Sequence, residues 1–131
     1  MISGSAEVGT IDEKSCVEAQ KFLERVRSLL ATNQFQVSQR DNNQKFLKKY
    51  RIKDQKIKEM LLALNGTDCT AIEPNNNSRY REALVYKFMK VYELDYFGDT
   101  CDVTVYIKQY IIEEKTYDLV MVISFHEDDK D

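Results

Sequence analysis

Apolar residues recur every three or four positions near the start of this chain and every second position near its end. In "DEKSCVEAQKFLERVRSLLATN", Val17, Phe22 or Leu23, Val26, Leu29 and Leu30 keep the helical step, which predicts an amphipathic helix. Asp12 is placed to cap it and Asn33 to end it. "QFQVSQR" predicts a short strand and Asp41-Asn42-Asn43 a turn, while "KFLKKYRI" leaves strand and helix both open. Asp54 is placed to cap a second helix with Ile57, Met60, Leu61 and Leu64 on one face, and Asn65-Gly66 to stop it. "EPNNNSRY" resists regular structure, because a proline and three consecutive asparagines favour a loop. Beyond it the period shortens. "EALVYKFMKVYEL" (Glu82–Leu94) predicts a long strand with apolar residues on both faces, as near a sheet centre. "DYFGDTCD" turns the chain, and "VTVYIKQYII" and "YDLVMVISFH" predict two more strands.

The expected fold class is α+β: a small antiparallel sheet ending in a three-stranded meander, with two N-terminal helices packed on one face. Residues 12–126 form the one expected domain, between a tail at 1–11 and an acidic disordered end at 127–131. With 131 residues such a chain can bury a core without metal or disulfide support. No apolar run reaches the length of a membrane span, and "MISGSAEVGT" lacks the basic and apolar regions of a signal peptide. The expected location is therefore cytoplasmic.

Charge alters this picture more than composition does. The net charge is −3, yet Lys14 to Lys58 holds twelve Lys/Arg against four Asp/Glu, and Glu93 to Asp131 holds three against eleven. Such sorting suggests one face suited to a polyanion and another that is acidic, or simply solvated surfaces divided by segment. The three cysteines, Cys16, Cys69 and Cys101, are odd in number and widely spaced, and there is one histidine. Neither a disulfide framework nor a zinc site fits, so no metal and no cofactor is expected. Phosphate-loop, dinucleotide-binding and hydrolase-elbow patterns are absent.

The last two strands carry the candidate chemistry. In the first, Val103, Val105, Ile107 and Ile111 share one face, and Thr104, Tyr106, Lys108 and Tyr110 the other. In the second, strict alternation puts Leu119, Met121, Ile123 and Phe125 opposite Val120, Val122, Ser124 and His126. Matching the bulky faces pairs odd with odd residues, for instance Val105 with Phe125 or Ile123. That needs an odd-length turn or a bulge around Glu114-Lys115-Thr116, with a five-residue loop expected. Tyr106, Lys108, Ser124 and His126 then share a face. A histidine for proton transfer, a lysine for phosphoryl charge and a tyrosine to donate or shuttle suit metal-free RNA cleavage. Solvated strand-end residues in an amphipathic pattern would read the same way.

"VYIK", "VMVISFH" and the preceding "ALVYKFMK" resemble the C-terminal half of the MqsR (motility quorum-sensing regulator) toxins, of the RelE-like toxin–antitoxin superfamily. The resemblance covers mainly Ile57–His126. It implies a RelE-like fold and a sequence-selective, metal-independent mRNA endoribonuclease. It also implies a type II toxin whose partners are mRNA and a cognate antitoxin. Tyr106 matches the family's active-site tyrosine, and His126 stands where a catalytic basic residue follows "SF". Lys108, from its place on the same strand face, is the candidate phosphate cation. Tyr86 or Lys87 falls near a polar contribution from the preceding strand, Tyr86 to stack on a base and Lys87 and Lys90 to track phosphates. A further family lysine would fall near Ala71, where no basic group stands; Arg79 and Arg81, beside the Asn-rich loop, are the candidate replacements. The alternative is a non-catalytic RelE-like binding module, a degenerate toxin or phage-borne regulator with a protein partner.

Overall fold

The structure, a computed structural model, describes residues 12–128; the expected tail at 1–11 lies outside them. Helix α1 spans Glu13–Ala31, with the Asp12 carboxylate accepting from the Ser15 amide at 2.8 Å. Ala19, Leu23, Val26 and Leu30 are its buried stripe. Its end is a Schellman turn: Asn33 adopts φ 59°, its amide bonds Leu30 O, and the Gln34 amide bonds Leu29 O. Strand β1 (Phe35–Val37) follows.

Helix α2 covers Asp41–Lys49, so the expected turn at Asp41 to Asn43 is instead its first turn. Asp41 near its N-terminus and Lys48 and Lys49 near its C-terminus complement the helix dipole. The buried set is Asn43, Phe46 and then Tyr50, so an asparagine stands where the helical period calls for a hydrophobe. Helix α3 spans Asp54–Leu62, with Lys53 rather than Asp54 in the cap position. It buries Ile57, Met60 and Leu61, with Leu64 just beyond. A 3₁₀ turn over Gly66–Asp68 then lies against α1, where the Gly66 amide donates to Gln20 Oε1 at 2.8 Å. A Cβ at Gly66 would stand 2.5 Å from the Cys16 carbonyl oxygen, so only glycine allows this approach.

Strands β2 (Cys69–Glu73), β3 (Val85–Tyr96), β4 (Asp99–Glu113) and β5 (Asp118–Glu127) complete a five-stranded sheet ordered β1-β5-β4-β3-β2. The expected meander is β3-β4-β5. The sheet is mixed rather than antiparallel, because β1 runs parallel to β5, Phe35 opposite Val120. β2, "CTAIE", is short and carries no alternating pattern that would mark it as a strand. The expected acidic end begins too early, since Glu127 belongs to β5 and accepts from Lys49 and Tyr50. The Asp128 amide bonds Thr104 O.

One core cluster joins α1, Phe46, Ile57, Met60 and Leu61 to Phe88, Tyr92, Val105, Ile107, Val120, Val122 and Phe125 of the sheet. The buried Tyr92 hydroxyl donates to Met60 O at 2.6 Å. A second, smaller cluster of Val85, Tyr110 and Ile112 sits with Tyr80, Leu119, Met121 and Ile123. No helix among the described residues is long and apolar enough to cross a membrane.

Candidate active site

The site is set by the register of β4 against β5. Near the turn, Glu113 opposes Asp118, leaving a four-residue loop rather than the expected five. Ile111 then opposes Val120, and Gln109 opposes Val122, so odd residues face even ones. Between Gln109 and Lys108 the register shifts: Lys108 opposes Ser124, Ile107 opposes Phe125, and Tyr106 opposes His126. Ile123 is the extra residue of a β-bulge. The expected odd-with-odd pairing is reached here, well inside the strand, and not at the turn. Val105 consequently faces Glu127, neither Phe125 nor Ile123.

The bulge also corrects the expected faces of β5. Val120 and Val122 are fully buried in the main core, while Leu119, Met121 and Ile123 pack with the opposite cluster. After the bulge the parity inverts, and Phe125 rejoins the main core. Without a bulge, the turn register would continue and oppose Tyr106 to Phe125 and Val105 to His126. The histidine would then face the core.

Asn43 holds the bulge in place. β1 stops at Val37, and its last backbone contact is the Ser38 amide to Val122 O. Beyond that point the edge of β5 is bonded by one side chain. Asn43 Nδ2 donates to Ile123 O and to Ser38 O, both at 2.9 Å, and Oδ1 accepts from the Phe125 amide at 2.8 Å. Asn43 is fully buried, so these bonds have no competing water.

On the resulting open face, the Tyr106 and His126 rings lie with centroids 5.6 Å apart and planes at 51°. Both are partly exposed. His126 Nδ1 is 2.9 Å from the Glu127 carbonyl, which accepts if that nitrogen carries the proton. Two residues along β4, Lys108 stands beside Ser124 on one strand and Lys87 on the other. Lys87 binds Glu73 at 2.9 Å, and that hydrogen bond chiefly raises its pKa against the opposing effect of burial. The Tyr106 hydroxyl adds to the rise, so Lys87 stays cationic beside it.

The other expected contacts divide. Tyr86 is 6% exposed on the helix-covered face, its ring stacked on Phe22 at 3.8 Å, so it offers no face to a base. Lys90 shares the parity of Phe88 and Tyr92 and pairs with Asp68 at 3.5 Å, away from Lys87. Arg79 is exposed, loosely paired with Glu114 at 3.9 Å and lying over the Tyr80 ring. Arg79 and Arg81 border a hollow with Glu113, seven residues along β4 from Tyr106, about 23 Å at strand rise. They do not replace a cation at the Tyr106–His126 pair.

Two features escaped the sequence. Lys45 and Lys49 of α2 border a shallow hollow of about 170 Å³ that includes His126, because Asn43 ties that helix to the bulge. Beside Lys108 there is a larger cavity, bordered by Arg40 and the Asn-rich loop. The buried Asn75 gives this loop its shape, donating to Ala83 O and accepting from the Asn77 amide.

Comparison with protein-family models, with curated proteins and with solved structures gave no match.

Proposed function

We infer that the chain is a metal-independent endoribonuclease that cuts mRNA, with the Tyr106–His126 pair as its active site. The observation that carries this reading is the cross-strand approach of those two partly exposed rings, with Lys87 and Lys108 two residues along the strands. Like charges directly opposite in a sheet cost stability. Glu73 already neutralises Lys87, so Lys108, which forms no ion pair among the described residues, is the cation left to meet a phosphodiester.

In the proposed reaction, His126 takes the proton from a ribose 2′-OH, and the freed oxygen attacks the adjacent phosphorus. The phosphorus–O5′ bond breaks, and the departing oxygen takes a proton from the Tyr106 hydroxyl or from solvent. The products are a 2′,3′-cyclic phosphate and a 5′-hydroxyl end. Lys108 stabilises charge on the non-bridging oxygens, and Lys45 and Lys49 attract the flanking backbone. The RelE-like, MqsR-type fold assignment and a cognate antitoxin partner in the cytoplasm belong to the same proposal, supported by the "VYIK" and "ISFH" strands.

The test is digestion of a mixed mRNA in EDTA by the wild-type chain and by His126→Ala and Tyr106→Phe. Cyclic-phosphate ends from wild type, with at least a ~100-fold loss in His126→Ala, are expected. Equal cleavage by wild type and His126→Ala would overturn the assignment of the site. Absence of cleavage by the wild type would overturn the enzyme reading in favour of a binding module.

A further inference from the structure

We propose that the cavity between the Asn-rich loop and the sheet is a nucleobase pocket, which takes the base of a nucleotide whose phosphate lies on Lys108 and Arg40. This rests on the nuclease reading above and deepens it by naming where a base is read. The cavity holds about 360 Å³, within the size range of small-molecule sites. Its composition is that of a base site. Tyr80 and Tyr110 wall it with rings 5.9 Å apart at 44°, and Val85, Ile112, Met121 and Ile123 supply apolar surface. Hydrogen-bonding capacity comes from Asn76, Asn77, Ser38 and Glu73. Tyr110, Asn75 and Asn77 border the cavity together. A flat heteroaromatic with polar edges matches this mixture of ring, amide and carboxylate, as an aliphatic ligand does not.

The position of the cavity points to the same occupant. Lys108 borders it and is also the neighbour of the Tyr106–His126 pair, two residues along β4. That is about 7 Å of strand, the scale of one nucleotide step between the reacting phosphate and a held base. Arg40 stands at the cavity with Lys108, and neither forms an ion pair among the described residues. Both cations are therefore available to a phosphate while the Asn-rich loop encloses the base. Glu73 is committed to Lys87 but borders the cavity as well, so its carboxylate favours an edge that presents N–H groups.

The experiment titrates the ¹⁵N-labelled full chain with each of the four 3′-nucleoside monophosphates and with inorganic phosphate. Saturable amide shifts at Asn77, Tyr110 and Ile112 are expected with at least one nucleotide and not with phosphate alone. Arg40→Gln and Asn77→Ala, both at exposed positions, are expected to weaken that binding at least fivefold, and Asn77→Ala to change the base preference of cleavage. Identical shifts with phosphate alone, no shift in the cavity, or unchanged affinity in both variants would overturn the pocket. Binding in the cavity by a chain that cleaves nothing would retain the pocket and sink the nuclease. Cleavage without binding in the cavity would do the reverse.

Discussion

The two halves of the β4–β5 ladder bury the same face and use the other face in opposite ways. In the half nearest the turn, Tyr110, Ile112, Leu119 and Met121 make an apolar outer surface that packs with Tyr80 and Ala83 of the Asn-rich segment. In the half beyond the bulge, Lys108, Tyr106 and His126 turn outward and are partly exposed, with Ser124 buried beside Lys108. The inner face runs unbroken through both, from Val120 and Val122 to Phe125 and from Ile111 to Ile107. Its residues on β5 step by two and then by three. One extra residue, Ile123, keeps that face continuous while changing which side chains turn outward. The difference teaches that position 126 reaches Tyr106 through a packing requirement at 125, enforced by a buried amide at 43.

That comparison breaks most severely at Phe125. It is fully buried and meets Phe46 edge to face at 5.8 Å. Phe125→Ala is expected to cost about 3–5 kcal/mol in a urea titration, with His126 losing its fixed position. Asn43→Leu comes next. It keeps the branched shape while adding bulk, and it strands the Phe125 amide and the Ile123 and Ser38 carbonyls, which predicts a loss of about 2–4 kcal/mol. The same titration checks it, and a loss under ~1 kcal/mol would mean that the bulge is held elsewhere.

Gln109 sharpens the comparison from the other side of the bulge. It is fully buried, and neither side-chain amide atom has a hydrogen-bond partner among the described residues. Gln109→Leu removes an unsatisfied polar group from the core. It is expected to raise stability by about 1–2 kcal/mol, with the shift read as a higher melting temperature.

The smallest expected effect is one of pH. Burial raises the Cys69 thiol from 9.0 to about 11. The unfolded chain therefore gives up this proton first, and the contribution to stability is intact below about pH 9. It is lost as pH rises towards about 11. Cys69→Ala should flatten stability over that window, as measured by urea midpoints at each pH.

Helices α1 and α3 were legible because their buried positions are all apolar and keep the helical step. α2 was not, since its buried stripe of 43, 46 and 50 begins with asparagine, the residue that a sequence reading assigns to a turn. The shared face of Tyr106, Lys108, Ser124 and His126 was legible from matching bulky faces. The bulge behind it was located wrongly, because Leu119 to Ile123 is uniformly apolar and alternation marks no break there. Tyr86 and Lys90 lie on a strand with apolar residues at both parities, so only packing against Phe22 and the bond to Asp68 decide their face. The nucleobase cavity depends on Asn75 folding a loop back over the sheet, a long-range event without a periodic signature.

The most direct measurement is a nuclear Overhauser experiment on the His126 ring, whose signals stand alone because the chain has one histidine. Cross-peaks from its ring protons to the Tyr106 ring, lost or redistributed in Asn43→Leu, are the predicted result. Cross-peaks to Val105 methyl groups with none to Tyr106 would mean that the turn register runs through unbroken. The histidine would then belong to the core, and no active site would exist on the open face.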